Sequence, residues 1–529
     1  MNPAIRTWVP PTAPFNVADY FILPNLKEGR ATRPYMHCED KSLSYGQLHE
    51  QCNRFGNVLR TLGVETEQRV MLLLQDTLAF PVCFFGTIRI GAVAVPVNAM
   101  LRPGDYAYML EDSRARVLIV DHALWPQVEP LLAKLKYLRH VLIANGIAPG
   151  RLSLDDLMAK ASPDLVSEPM HPDDAAFWLY TSGSTGAPKG AVHLHHDMVY
   201  VTHHFSEPVL GLTDRDVGFS AAKFPFAYGL GNSLYFCMPA GSCAVVQPGR
   251  PTPEVCFATL ERFKPTVFYG GPAVFNGMLN TYDAWLEDKQ NPPAKLPKLE
   301  YLRFSVSAGE SLPPVLFERW KRHFGTPILD GIGSTEMLHI FISNRLDALR
   351  PGSTGQMVPG YEARLTDEHG KDVPDGETGA LLVKGDSAAP YYWNKHERSK
   401  ITMLGEWTVT GDQFHRDADG YYWYHGRNDD MMKVSGSWIS PVEVENALLS
   451  HPAVAMCAVV GRKDDAGLLK PKAFIMVKPG STPGESLAEE IRAHVRKQIS
   501  GFKAPQWVEF VTELPMTATG KIRRFELRG

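Results

Sequence analysis

The chain has no CxxC pair, and its seven cysteines (Cys38, Cys52, Cys83, Cys237, Cys243, Cys256 and Cys457) are scattered and odd in number. Zinc-ribbon and fully paired disulfide frameworks are therefore excluded, and a reducing cytoplasm is the expected location. There is no basic tract. Acids and bases are spread along a chain of formal net charge −4, so no nucleic-acid footprint is expected. Long apolar runs are missing too. The most apolar stretch, Phe80 to Leu101, is broken by Gly86, Arg89, Gly91 and Pro96, and reads as a buried helix entering a strand rather than a membrane span. The first residues, MNPAIRTWVPPTAPFNV, have no basic region followed by an apolar one, so no secretory signal is expected. No repeat of fixed period is visible.

What is present is globular. The hydrophobic fraction is 44% and the charged fraction 21%, which sets disorder aside. With 529 residues, one small core is too little and two or more domains are expected. Leu48, Cys52, Phe55, Leu59 and Leu62 repeat at helical spacing, with Ser44 placed to cap the helix and Gly63 to end it. Short β-rich runs at Val70–Leu74, Ala92–Val97, Val117–Val120 and Val141–Ile143 alternate with helical segments. That alternation predicts an α/β fold with βα-type, largely parallel sheets. Leu286 to Pro297 is polar and proline-bearing, and reads as a surface loop. After Arg427-Asn428-Asp429-Asp430 comes a pattern able to fold alone. Ser440-Pro441-Val442-Glu443 has the form of a capping box. Ala453–Val460, Ala473–Lys478 and Trp507–Val511 read as strands, and Leu487–Gln498 as a helix. The expected division is a large domain over residues 1–427, a hinge at 428–430 and a small α+β domain over 431–529.

The strongest motif is Tyr180-Thr181-Ser182-Gly183-Ser184-Thr185-Gly186-Ala187-Pro188-Lys189-Gly190, preceded by the strand-like run Ala175–Tyr180. Its glycines let the backbone turn tightly and offer N–H groups to a polyphosphate, while the hydroxyls and Lys189 supply further partners. It is not a Walker A loop, in which Gly-Lys is followed by Ser or Thr. Here Lys189 follows Pro188 and precedes glycine.

This stretch resembles the phosphate-loop signature of the acyl-adenylate-forming superfamily: acyl-CoA synthetases, adenylation domains of peptide synthetases, and firefly-type luciferases. The resemblance covers nearly the whole chain, with the motifs in family order. Ser307-Ala308-Gly309-Glu310 is similar to the adenine-binding segment. Asp330-Gly331-Ile332-Gly333-Ser334-Thr335-Glu336 is similar to the segment flanking adenine and the acyl group. Thr410-Gly411-Asp412 resembles the ribose motif, Gly426–Asp430 the inter-domain hinge, and Thr519-Gly520-Lys521 the catalytic-lysine motif. The resemblance implies ATP, Mg²⁺ and coenzyme A as cofactors and co-substrates, with Glu336 on magnesium. Lys521 would bridge the reacting carboxylate and the α-phosphate. Asp412 would accept the ribose hydroxyls, and Arg427 would also contact the sugar. Asp429 would be the hinge. Lys433 and Gly436 would enter the site in a second orientation of the small domain, in which the thioester forms. Taken singly, Lys521 would be a surface lysine and Asp412 a turn residue; joint occurrence in order reverses that reading.

For the acid, Ala221 to Asn232 and Ser334 to Phe341 resemble the acid-binding segments of benzoate-CoA ligases. Phe226, Ala227, Tyr228, Ala308, Gly333 and Ile340 would form a flat apolar slot for an aromatic ring. No acidic residue lies between Lys223 and Asn232 to hold an amino group. His339 is expected either to reach the ring's edge or to satisfy a neighbouring backbone group. Phe224-Pro225 departs from the benzoate-ligase pattern and leaves the ring substituents open. Two rivals are an enzyme that loads a carrier-protein thiol or activates another acid, and an inactive nucleotide-binding regulator. No carrier domain is expected after Lys521, and Lys521, Glu336 and Asp412 are all present, so neither rival is favoured. The partners expected are small molecules, without nucleic acid or membrane, acting on a monomer or homodimer.

Overall fold

The computed structural model describes residues 8–183, 186–288, 296–434, 437–464, 468–516 and 521–528. Ser184, Thr185, Gly436, Thr519 and Gly520, all named above, lie outside these, as does most of the polar segment expected to loop after Leu286.

The α/β expectation is met. One sheet has seven strands, parallel except where the strand Gly186–Leu194 turns back antiparallel on Ala175–Gly183. A second has nine strands, with a parallel centre and antiparallel edges. Strands such as Val117–Asp121 and Val267–Gly270 are buried at every position. That is why they read as continuous apolar runs: layers cover both faces of the parallel sheets. The helix Tyr45–Thr61 begins on Ser44, whose hydroxyl accepts from the Gln47 amide while the Gln47 side chain takes the Ser44 amide. It stops before Gly63, at φ +77°. The stretch Phe80–Leu101 is the expected helix, Ala79–Arg89, and then a strand, Val93–Pro96.

A five-stranded antiparallel sheet, not foreseen, is built from Glu362–Thr366, Gly379–Lys384, Met403–Leu404, Trp407–Arg416 and Tyr422–Arg427. From there the chain passes through a 3-10 turn, Asn428–Asp430, into a hairpin, Met432–Val434 and Ser437–Ile439. A separate apolar core follows, with Met432, Val434, Ile439, Val444, Leu448, Ile475 and Ile491 among its members. It sits between the strands Val454–Lys463, Leu469–Val477 and Trp507–Phe510 and the helices Pro441–Leu449 and Glu485–Gln498. The Ser440 hydroxyl caps the first of these helices by accepting from the Glu443 amide at 3.1 Å. The reciprocal half of the expected capping box is replaced, because the Glu443 carboxylate pairs with Lys503 at 2.8 Å.

In the nine-stranded sheet the parallel strands Val217–Ser220, Val267–Gly270, Phe304–Ser307 and Ile328–Gly333 end on the same side. Their C-terminal ends feed Ala221–Tyr228, Gly271, Ala308–Glu310 and Ser334–Glu336 into one crevice, the usual ligand position in open α/β sheets.

Candidate active site

The phosphate-loop motif is a β-hairpin. Thr181 pairs with Lys189 and Gly183 with Gly186, so Ser182 and Gly183 end one strand and Gly186 begins the next. Lys189 is half-buried, with its Nζ 4.6 Å from the centre of the Tyr392 ring. Burial lowers the Lys189 pKa, and nearby Arg398 adds to this while Glu336 opposes it. The Tyr392 hydroxyl donates to Glu336 Oε1 at 2.5 Å. One tyrosine thus touches both the lysine of the hairpin and the carboxylate of the Ser334–Glu336 turn.

Around the crevice the other motif residues converge. Gly309, at φ +97°, has no side chain between its backbone and Lys521; a methyl group there would stand 3.7 Å from Lys521 Cε. The amide of Ile522 donates to Glu310 Oε1 at 3.3 Å, which ties the chain beside Lys521 to this segment. Burial raises the carboxyl pKa of both Glu310 and Asp412, and the Lys521 charge pulls each back. Asp412 and Arg427 are cross-strand partners on the antiparallel sheet, joined at 3.1 Å. Gly411, at φ +77°, lets the guanidinium approach: a methyl there would come within 2.9 Å of Arg427 Nη2. Asp330 is buried, burial raises its pKa far above the carboxylate range, and its Oδ1 meets no donor among the described residues. Lys433 stands apart from this cluster, exposed on its hairpin with Nζ 5.4 Å from the Trp438 ring. Asp429 is exposed in the 3-10 turn.

Phe226, expected in the acid slot, immediately precedes the short helix Ala227–Leu230. Phe226 and Tyr228 are half-buried, and Ala227, Ala308 and Ile340 are buried. The Tyr228 hydroxyl donates to the Val306 carbonyl at 2.9 Å, so its polar end is satisfied within the protein. Gly333 is obligatory, because a Cβ would sit 2.3 Å from the His339 carbonyl oxygen. Ile340 packs against Gly331, while Ile332 and Thr335 are half-buried on either side of Gly333. His339 takes the second of its two expected places. It is 2% exposed, boxed by Phe205, Phe236 and Tyr228, with Nε2 on the Tyr228 carbonyl at 3.3 Å. Burial lowers its pKa to about 3, so the ring is neutral. Phe224 belongs to the core rather than the slot, stacked on Phe80 at 4.3 Å.

With this geometry in view, the model described as AMP-binding enzyme matches residues 26–393, and the model described as AMP-binding enzyme C-terminal domain matches residues 443–521. The chain belongs to the AMP-binding enzyme family. This family member is 46% identical to a benzoate–CoA ligase of Thauera aromatica over 97% of the chain and 96% of that protein. Among solved structures it resembles an anthranilate CoA ligase in complex with anthranoyl-AMP, at TM-score 0.92 and 42% identity over 98% of this chain and 97% of that one. It also resembles a benzoate CoA ligase from Burkholderia xenovorans LB400, at TM-score 0.89 and 44% identity over 97% of this chain and 100% of that one.

Sequence reasoning missed Tyr392 and Arg398. Tyr392 lies in the aromatic run Tyr391-Tyr392-Trp393, which pairs with the hairpin through an Ala191–Tyr392 bridge and a Trp393 amide to Gly190 carbonyl bond of 2.8 Å. An aromatic run before a helix was the only signal. Among the described residues no cluster of three metal-ligating side chains occurs, and no helix is long and apolar enough to cross a membrane.

Proposed function

We propose that this chain is an ATP-dependent aryl-CoA ligase. It joins benzoate, or a singly substituted benzoate, to ATP, giving aryl-AMP and pyrophosphate, and then transfers the aryl group to coenzyme A, giving aryl-CoA and AMP. The observation that carries this reading is the gathering of Lys189, Glu336, Asp412 and Lys521 around one crevice that also opens on an apolar slot. In the first half-reaction a carboxylate oxygen attacks the α-phosphorus and pyrophosphate leaves. Two anions approach each other, and Lys521 is the cation that lies between them in this reading. Lys189 and the hairpin amides take the outer phosphates. Asp412, held by Arg427, accepts from the ribose hydroxyls.

Glu336 suits magnesium: it is a carboxylate with one oxygen held by Tyr392, outside any group of three metal-ligating side chains among the described residues, and Mg²⁺ prefers one or two carboxylates completed by phosphate and water oxygens. When bound, the ion supplies charge neutralisation to the triphosphate. Tyr392→Phe removes a hydrogen bond to a charged group, a change of roughly 1.5–3 kcal/mol. Its kcat/KM for ATP is expected to fall at least about tenfold, with the KM for benzoate unchanged. An ATP titration of pyrophosphate release checks this.

In the second half-reaction the thiol sulfur attacks the acyl carbon, AMP leaves, and the thiol proton passes to solvent. We assign residues 1–427 to the ATP- and acid-binding domain, 428–430 to the hinge and 431–529 to the mobile domain, with Lys433 and Gly436 serving the thioester orientation. The enzyme works in the cytoplasm, in keeping with seven buried free thiols.

The acid assignment rests on the slot. Its walls are apolar, the Tyr228 hydroxyl is spent on Val306, and no acidic residue lies between Lys223 and Asn232 to hold an amine. A ring between such walls gains about 25 cal/mol per Å² of apolar area buried. Acetate is too small to collect that gain, and Phe226, Tyr228 and Ile340 block the path of a long chain. Benzoate or a monosubstituted benzoate is expected to exceed acetate, hexanoate and palmitate in kcat/KM for AMP release. A straight-chain acid preferred to every ring acid would overturn the aryl assignment and leave the adenylation chemistry standing.

A further inference from the structure

The strand Gly186–Leu194 returns from the phosphate loop and delivers His193 to the turn that carries Glu336. His193 and Asp197 are both fully buried. His193 Nδ1 lies 2.7 Å from Asp197 Oδ2, and Nε2 lies 2.8 Å from the Thr335 carbonyl oxygen. A carbonyl oxygen only accepts, so Nε2 carries a hydrogen and donates it. Nδ1 faces the carboxylate, whose Oδ2 further accepts from the Leu194 amide at 3.1 Å. The imidazole face stacks on Phe177 with ring centres 5.1 Å apart and planes 20° apart. The ring is therefore fixed in position and rotation.

What it holds is a turn under strain. Leu338 sits at φ +66°, a left-handed conformation unfavourable for any residue with a Cβ. Strained backbone persists only where its surroundings over-determine it. Here the successive carbonyls of the turn are each claimed. The Glu336 oxygen accepts from the Ala389 amide at 2.7 Å, and the Met337 oxygen from the Ser387 hydroxyl at 2.9 Å. The Thr335 oxygen takes His193 and, at 3.2 Å, the Leu338 amide. Two of these supports come from the segment around Ser387–Ala389. His193 is the support supplied by the phosphate-loop strand.

We propose that His193, braced by Asp197, is a positioning residue that sets the spacing between the phosphate-loop strand and the Glu336 carboxylate, and so acts on adenylation without touching substrate. The inference rests on the reading of Glu336 as the carboxylate beside the triphosphate.

The test uses the full chain with His193→Phe, His193→Gln and Glu336→Gln. Phenylalanine keeps the ring volume and the stack on Phe177 but has no donor; glutamine keeps one donor at similar reach. The readouts are affinity for Mg·ATP by calorimetry without acid, pyrophosphate release with benzoate, thioester formation from supplied benzoyl-AMP, and Tm. His193→Phe is expected to weaken Mg·ATP binding and kcat/KM for ATP roughly ten- to hundredfold, the worth of one hydrogen bond in a charged network. The KM for benzoate and the thioester step stay at wild-type values, and His193→Gln recovers most of the loss. If His193→Phe does not fold, Asp197→Asn takes its place and is expected to show the same selective loss in smaller measure. Wild-type Mg·ATP affinity in these variants, equal loss in both half-reactions, or a folded glutamine variant no better than phenylalanine would overturn the proposal. A Glu336→Gln enzyme with normal adenylation would instead overturn the reading of Glu336 itself, which separates the two failures.

Discussion

Lys521→Ala is expected to lower the rate of aryl-AMP formation by on the order of 10²–10³, the cost of removing one positioned charge from a phosphoryl transition state. The residue lies beside the adenine-side segment, with its Cε 3.7 Å from where a methyl group on Gly309 would stand and the next amide bonded to Glu310. An alanine leaves the approaching carboxylate and the α-phosphate to repel each other without a cation between them. Thioester formation makes and breaks no bond at phosphorus: the thiol attacks the acyl carbon, the acyl C–O bond breaks and AMP leaves, so no carboxylate has to be brought up to an anionic phosphate. The variant should therefore convert supplied benzoyl-AMP and coenzyme A to benzoyl-CoA at close to the normal rate. Measuring the two half-reactions separately decides the matter: equal damage to both would remove the division of labour assigned to Lys521.

Asp429→Pro is expected to do the reverse, keeping adenylation and losing roughly 10² or more in thioester formation. Proline locks φ near −65°, and forcing it into an incompatible backbone costs about 3 kcal/mol or more. The present orientation tolerates that lock, because Asp429 is the central residue of the 3-10 turn Asn428–Asp430 and 3-10 turns run at φ of about −50 to −70°. This is also the orientation in which Lys521 reaches the crevice. The neighbouring Asp430 is already committed to the small domain through Arg528 and, at 3.9 Å, Arg524, so rotation has to be absorbed at its exposed neighbours. A folded Asp429→Pro enzyme that makes thioester at the normal rate from supplied benzoyl-AMP would place the hinge elsewhere.

Most of the candidate site was legible because its motifs are contiguous strings. Glycines at 309 and 411 adopt positive φ where the backbone turns beside a charged side chain, and such needs are local. The parallel sheets were legible for a similar reason: strands covered on both faces are continuously apolar. Less was visible wherever two segments meet. The fates of Phe224 and Phe226 differ although they stand two residues apart. Phe224 packs on Phe80 in the core, and the Phe224 amide is bonded to buried Asp76 at 3.3 Å, whereas Phe226 is only half-buried. The pairing of Asp412 with Arg427 depends on the register of an antiparallel hairpin with an irregularity beside Gln413. His339 could be placed near the acid segment from the chain alone, but its burial behind Tyr228 could not.

Tyr392 and His193 mark that boundary most plainly. Their partners lie 56 and 142 residues away in the chain, at Glu336 and Thr335. The kinds of groups needed to bring a carboxylate, a triphosphate and a thiol together are carried by short strings of residues whose backbone and side-chain chemistry is local, so the chain alone named them and their order. How far Glu336 stands from the phosphate loop, and which way its carboxylate faces, was settled only when the two large sheets and the antiparallel sheet packed. A hydrogen bond is made or lost over a few tenths of an ångström, and distances of that size are properties of packed sheets and not of strings.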